Sequence, residues 1–166
     1  MQIRFDCYIG VGSNLHHPMQ QIITALDLLK TLPQTILIKT SHLYQNPAMV
    51  AEENPISQPD YINAVAWIQT TLEPQILLKH LQTLETQQGR QRTHQRWSSR
   101  TLDLDILLYG DLKIELPHLS IPHRGLLERA FVLVPLCDCN PDLILPNGMA
   151  VKNFISDAMK QSLTRM

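Results

Sequence analysis

The chain has 166 residues, 44% of them hydrophobic and 17% charged, with a formal net charge of −1. That is the size of one domain, here taken as 1–166, with enough apolar material to bury a core, which excludes a largely disordered chain. The near-neutral balance argues against a dedicated nucleic-acid or membrane-surface protein, and no apolar run approaches the roughly 20 residues that span a bilayer. Residues 3–11 are β-branched and aromatic enough for an opening strand, and Gly12-Ser13-Asn14 reads as a turn. Between Met19 and Leu32 the positions Ile22, Ile23, Leu26, Leu28 and Leu29 recur at helical spacing until Pro33 stops the helix. Residues 35–44 predict a second strand, 45–60 a loop rich in Pro, Asn and Glu, and 61–70 a third strand. Pro74 opens a second helix whose apolar positions are Ile76, Leu77, Leu81 and Leu84. A polar segment over 90–100 reads as a loop, followed by a fourth strand over 101–109, a short return strand over 112–116, an apolar stretch over 130–137 and a last helix over 151–163. The order βαββαβ predicts an α+β, ferredoxin-like sandwich with additional C-terminal elements.

The charges are less evenly spread than their total. Four of the eight arginines, Arg90, Arg92, Arg96 and Arg100, fall within eleven residues, and Arg124 and Arg129 follow shortly after. The guanidinium fork grips phosphate oxygens bidentately where lysine offers a point charge, so an arginine cluster in a neutral protein reads as a phosphate site. Arg90 and Arg100 bracket the segment and are placed to be fixed phosphate ligands. Arg92 and Arg96 lie between them, able to close over a bound nucleotide. Trp97 has little core to join in so polar a run and suits a lid that stacks on an aromatic ligand.

Immediately after the arginines comes Asp103-Leu104-Asp105, in an otherwise apolar strand. Alternation along a strand puts both carboxylates on one face, about 7 Å apart. Two acids that close favour a cation between them, and Mg²⁺ commonly takes one or two carboxylates and completes its shell with water and phosphate oxygens. On its own the pattern also describes two wet carboxylates. Beside four arginines it supplies the parts of phosphoryl transfer. Glu85, on the helix before the loop, could bind ribose hydroxyls or simply offset the arginines, and His123, stiffened by Pro122, could donate to a phosphate.

Several other patterns are excluded. Gly10-Val11-Gly12 lacks the third glycine and the early helix of a dinucleotide-binding turn. Cys137-Asp138-Cys139 has no second cysteine pair for zinc. Three cysteines without a secretory leader point to reduced thiols and a cytoplasmic setting. A single-strand RNA-binding module of the same fold stays open as the alternative from another class, although it needs exposed aromatics and only 5% of the residues are aromatic.

The run Arg90-x-Arg92-x-x-x-Arg96-Trp97-x-x-Arg100-Thr101-Leu102-Asp103-Leu104-Asp105-Ile106 closely resembles the signature of the 6-hydroxymethyl-7,8-dihydropterin pyrophosphokinase family. Gly12-Ser13-Asn14-Leu15, Gln58-Pro59-Asp60-Tyr61-Ile62-Asn63-Ala64, and Ile121-Pro122-His123 with Arg129 and Phe131 resemble it too, in the same order. The resemblance spans essentially the whole chain. It implies a ferredoxin-like monomer that takes ATP as donor, uses two Mg²⁺ ions and releases AMP, with small-molecule substrates and neither nucleic acid nor membrane as partner. It further implies catalytic roles for Arg90, Arg100, Asp103 and Asp105, the two aspartates holding the metal. ATP would be met by Gln82, Glu85, Arg90, Arg92, Arg96, Trp97, Arg100, Ile106, His123 and Arg129. The pterin would lie between Trp97 and Phe131, with Tyr61 and Asn63 at its polar edge and Gly12, Asn46, Pro47, Met49 and Asp103 around it. This chain departs from the family pattern in a longer 45–60 loop, in Asn46 where threonine is often found, and in Arg124 where tyrosine is common.

Overall fold

The computed structural model describes residues 2–48, 58–89 and 101–166. Its elements are β1 (Phe5–Ser13), α1 (Pro18–Leu29), β2 (Thr35–Thr40), β3 (Tyr44–Asn46), β4 (Tyr61–Thr70), α2 (Pro74–Gln87), β5 (Asp103–Tyr109), β6 (Ile114–Leu116), β7 (Leu119–Ile121), α3 (Ala130–Cys139), α4 (Asp157–Gln161) and β8 (Thr164–Arg165), with a 3₁₀ turn at Val151–Phe154. Six strands form one sheet in the order β5-β1-β4-β3-β8, with β2 also paired to β4. The pairings β1–β4, β1–β5 and β2–β4 are antiparallel. This is the ferredoxin-like α+β arrangement.

The helices follow from the sequence with little intervention. Ile22, Ala25, Leu26 and Leu29 bury one face of α1, and Leu77, Leu81 and Leu84 one face of α2. Both stripes recur at the i, i+3, i+4, i+7 spacing of a helix lying on a sheet. They meet Cys7, Ile9 and Val11 of β1, Ile62, Ala64, Ala66 and Ile68 of β4, and Leu104 and Ile106 of β5 in the larger core. The opposite face of the sheet carries a smaller core, where Tyr8, Val65, Leu107 and Leu108 meet Val132, Leu133, Leu136 and Cys139 of α3.

Four elements differ from the expectation. Gly12 and Ser13 belong to β1, paired with Asn63 and Ile62, rather than to a turn. The strand expected over 35–44 divides into β2 and β3 because the Ser41 hydroxyl accepts the Val65 N–H at 2.8 Å, so a side chain replaces one rung of the ladder. The return strand is one arm of a hairpin, β6 with β7. The helix expected over 151–163 is interrupted at Ile155 and Ser156, both extended, and the Ser156 hydroxyl restarts it as α4 by accepting the Met159 N–H at 3.1 Å.

Candidate active site

The register of four strands builds the site. Tyr44, Asn63, Gly12 and Asp103 face one another in a row across β3, β4, β1 and β5, and Val65, Gly10 and Asp105 form the next row. Cross-strand partners share a face of the sheet, so both aspartates, both glycines and Asn63 look towards the α3 side. Asn63 and Asp103 stand two strand spacings apart, about 10 Å. Between them lies only glycine. A Cβ on residue 12 would come within 2.8 Å of Asn63 Oδ1, and one on residue 10 within 3.3 Å of the Leu107 side chain. The two glycines therefore leave a flat floor wide enough for a bicyclic aromatic ring.

The cleft over this floor holds about 110 Å³ and is walled by Asn46, Tyr61, Asn63, Asp103, Asp105, His123, Arg129 and Phe131. A second, roomier cleft of about 340 Å³ runs along β5 against the β6–β7 hairpin, lined by Leu78, Asp105, Ile106, Leu116, Pro117, Leu119, Ser120, His123, Arg124 and Arg129. Asp105, His123 and Arg129 line both. The two spaces thus meet at one carboxylate, one imidazole and one guanidinium.

His123 is held from three sides. Its backbone N–H donates to the Leu107 carbonyl at 3.0 Å. The Gly125 N–H donates to its Nδ1 at 3.0 Å, and its Nε2 lies 3.7 Å from Asp105 Oδ2. With Nδ1 an acceptor, the proton of the neutral ring sits on Nε2, facing the carboxylate. Burial lowers the pKa of His123, the Arg129 cation lowers it further, and Asp103 opposes them. The ring therefore enters the site neutral, as a hydrogen-bond donor.

Arg129 immediately precedes α3, with its guanidinium carbon 5.8 Å from the centre of the Phe131 ring. A Cβ on residue 125 would overlap the Arg129 side chain, so the glycine lets the arginine lie close over the backbone. Glu85, only 3% exposed, accepts the Leu104 N–H at 2.9 Å and thereby braces the start of β5 from α2. Asn14 ties the end of β1 to the segment before β4, its Nδ2 donating to Gln58 Oε1 at 3.3 Å and to the Pro59 carbonyl at 3.1 Å.

Of the expected site residues, Gly12, Asn46, Tyr61, Asn63, Asp103 and Phe131 converge on the first cleft, Ile106 on the second, and Asp105, His123 and Arg129 on both. Gln82 is half-buried and Pro47 exposed, and neither is among the residues lining these clefts. Met49, Arg90, Arg92, Arg96, Trp97 and Arg100 lie outside the described residues. Gly10 and Leu107 were missed from sequence. The available signal was parity, since Gly10-x-Gly12 on one strand matches Asp103-x-Asp105 on its neighbour.

Asp103 and Asp105 fit a hard divalent cation. They are half-exposed oxygen donors on one face of a strand, opening onto solvent-accessible clefts. Among the described residues no group of three or more His, Cys, Asp or Glu side chains is placed to hold a metal by itself. Two carboxylates with the rest of the shell left to water and substrate is the set Mg²⁺ favours.

A family model described as 7,8-dihydro-6-hydroxymethylpterin-pyrophosphokinase matches residues 8–141. The chain belongs to that family. Its activity is pyrophosphoryl transfer to hydroxymethyldihydropterin in folate biosynthesis, which makes the protein a transferase. A 2-amino-4-hydroxy-6-hydroxymethyldihydropteridine pyrophosphokinase of Pseudomonas aeruginosa is 43% identical over 96% of this chain and 95% of its own length. One from Synechocystis is 35% identical over 84% of this chain and 69% of its own. Among solved structures, Plasmodium falciparum HPPK-DHPS with pterin and p-hydroxybenzoate superposes with a TM-score of 0.72 at 13% identity. That match covers 99% of this chain and 47% of the longer one, and it carries the fold alone. Among the described residues no helix is long and apolar enough to cross a membrane.

Proposed function

We propose that the first cleft takes the pterin, the second takes ATP, and the reaction occurs at their shared wall. The observation that carries this reading is the meeting of both clefts at Asp105, His123 and Arg129. A flat bicycle lies on the glycine floor between Asn63 and Asp103, with Phe131 and Tyr61 beside it. The larger cleft takes the larger substrate, its apolar lining of Leu78, Ile106 and Leu116 receiving the base and its cationic end the phosphates.

The hydroxymethyl oxygen of the pterin forms a bond to the β-phosphorus of ATP, the bond from that phosphorus to the α,β-bridging oxygen breaks, and AMP leaves. Asp103 and Asp105 hold two Mg²⁺ ions, which when bound neutralise phosphate charge and lower the pKa of the attacking alcohol. Arg129 places a fixed positive charge where phosphate charge builds, in a site preorganised by Gly125 and Phe131. His123 donates its Nε2 proton in a hydrogen bond to a phosphate oxygen. Asp105, nearest the junction, receives the alcohol proton. Arg90, Arg92, Arg96 and Arg100 complete the phosphate grip, Trp97 covers the ring, and Gln82 and Glu85 border the nucleotide. Most of the rate acceleration on this reading is positioning and charge neutralisation. The chain works as a cytoplasmic monomer of one domain, consistent with one sheet carrying both cores.

The test is AMP release with ATP, Mg²⁺ and 6-hydroxymethyl-7,8-dihydropterin. AMP is expected to appear one-for-one with pterin pyrophosphate and only when all three are present. AMP release that does not require the pterin would overturn the reading.

A further inference from the structure

Two buried amides meet at the rim of the first cleft. Asn46 and Asn63 are each 8% exposed. Asn63 Nδ2 donates to Asn46 Oδ1 at 2.6 Å, and Asn46 Nδ2 donates in turn to the Pro47 carbonyl at 3.1 Å. An amide has one donor end and one acceptor end, so committing the nitrogen decides where the oxygen looks. The Asn63 oxygen is turned over Gly12, beside the point where a Cβ on that residue would come within 2.8 Å of it. Reversing Asn63 alone would press two carbonyl oxygens together. Reversing both amides would cost Asn46 its bond to Pro47 and set a further pair of oxygens face to face.

We infer that Asn46 is a positioning residue that locks the Asn63 amide with its oxygen facing the cleft. The cleft therefore prefers a flat heteroaromatic ring with an exocyclic amino donor at that edge over the same ring carrying a carbonyl there. This deepens the pterin reading and rests on it. Glycine at position 12 is part of the device, since any larger residue would crowd the oxygen that does the selecting. Threonine at position 46, with a hydroxyl that can donate or accept, would leave the partner amide free to adopt either sense.

The experiment compares two ligands on the full chain by calorimetry, with Mg²⁺ and a non-hydrolysable ATP analogue present. One is 6-hydroxymethylpterin, and the other is its 2,4-dioxo counterpart, in which the exocyclic amino group is replaced by oxygen. The wild-type chain is expected to bind the amino form about ten- to a hundredfold more tightly, because the dioxo form sets two acceptors against each other. Asn46→Ala frees Asn63 to turn, and the preference should collapse towards equal affinity. Asn46→Asp keeps an acceptor for the Asn63 nitrogen and should keep the preference. A ratio of two affinities on one folded variant is not moved by a merely structural role, and the aspartate variant serves if the alanine variant folds poorly. An undiminished preference in Asn46→Ala, or a preference lost in Asn46→Asp, overturns the lock while leaving the pterin reading intact. A wild-type chain that binds neither ring overturns both.

Discussion

The two faces of the sheet are made from the same strands and have opposite characters. On the α1–α2 side, every inward position of β1 and β4 from Cys7 to Val11 and from Ile62 to Ile68 is apolar and buried. On the α3 side the alternate positions read Tyr8, Gly10 and Gly12 on β1, and Tyr61, Asn63, Val65 and Trp67 on β4, with Asp103 and Asp105 on β5. The first face is closed by two helices. The second is closed by α3 over only part of its length, and the remainder is the cleft. Stability and chemistry are thus separated by one residue of strand register, and substitutions one position apart should fail in different ways.

The sharpest contrast is expected from the aspartates. Asp103→Ala or Asp105→Ala should lower AMP release by about 10²–10³-fold or more, as each takes away charge stabilisation at the reacting phosphates. The melting temperature should hardly move, because both side chains are half-exposed. Near-wild-type turnover at saturating Mg²⁺ in either variant would break the division between the faces. Leu81→Ala on the closed face should do the converse. Leu81 is fully buried, so truncation costs about 2–5 kcal/mol of unfolding free energy in a denaturant titration. The KM values of the fraction that stays folded should be those of the wild type.

Smaller effects probe the floor and walls. Gly12→Ala should raise the pterin KM about tenfold by pushing a methyl group against Asn63 Oδ1, with the ATP KM unchanged. An equal rise in both would mean that the strand had shifted as a whole. The Tyr44 hydroxyl donates to Asp138 Oδ2 at 2.5 Å and ties β3 to α3, which hold opposite walls of the cleft. Tyr44→Phe should cost about 1 kcal/mol of stability and raise the pterin KM a few-fold, read by thermal denaturation and steady-state kinetics. Burial, then Arg129, hold the pKa of His123 below its ordinary 6.5. The unfolded chain therefore takes up a proton that the folded chain refuses, and stability falls as the pH drops below about 6.5, with no such loss above it. Melting temperatures of wild type and His123→Gln from about pH 7 to about pH 5 should diverge, the wild type losing more. Parallel curves would exclude the imidazole as the group responsible.

The closed face was the easier one to read from sequence. Its positions obey the two regular periods, 3.6 in the helices and 2 in the strands, so α1, α2, β4 and the βαββαβ order of elements along the chain follow from patterning. The site was legible where chemistry repeats at strand spacing, as in Asp103-x-Asp105, whereas the arginine cluster over 90–100 lies outside the described residues. What patterning could not supply were choices made by single side chains. The Ser41 hydroxyl that divides β2 from β3 and the Ser156 cap that restarts the last helix each interrupt a regular pattern by putting a hydroxyl oxygen where a backbone carbonyl would accept. The first acts across strands and the second within its own turn. A bulge likewise interrupts β5. The register with β1 shifts between Tyr8 and Ile9, so Leu107 and Leu108 both face α3 and Tyr109 returns to the larger core. There its hydroxyl donates to the Leu72 carbonyl at 2.6 Å. Gly12 was read for a turn it does not make, because a glycine's use as empty space becomes visible only once its neighbours across the sheet are known.

β5 forms an edge of the six-stranded sheet. An edge offers bare N–H and C=O groups to any passing strand, and this one continues from its aspartates into Ile106-Leu107-Leu108-Tyr109. Two of its outward groups are already taken, the Leu104 N–H by Glu85 and the Leu107 carbonyl by the His123 backbone. The two carboxylates add negative charge where a second copy would have to align. The groups proposed to border the substrates thus also occupy this edge, and a chain stripped of Glu85 or the aspartate pair should be tested for solubility before its lost turnover is ascribed to chemistry.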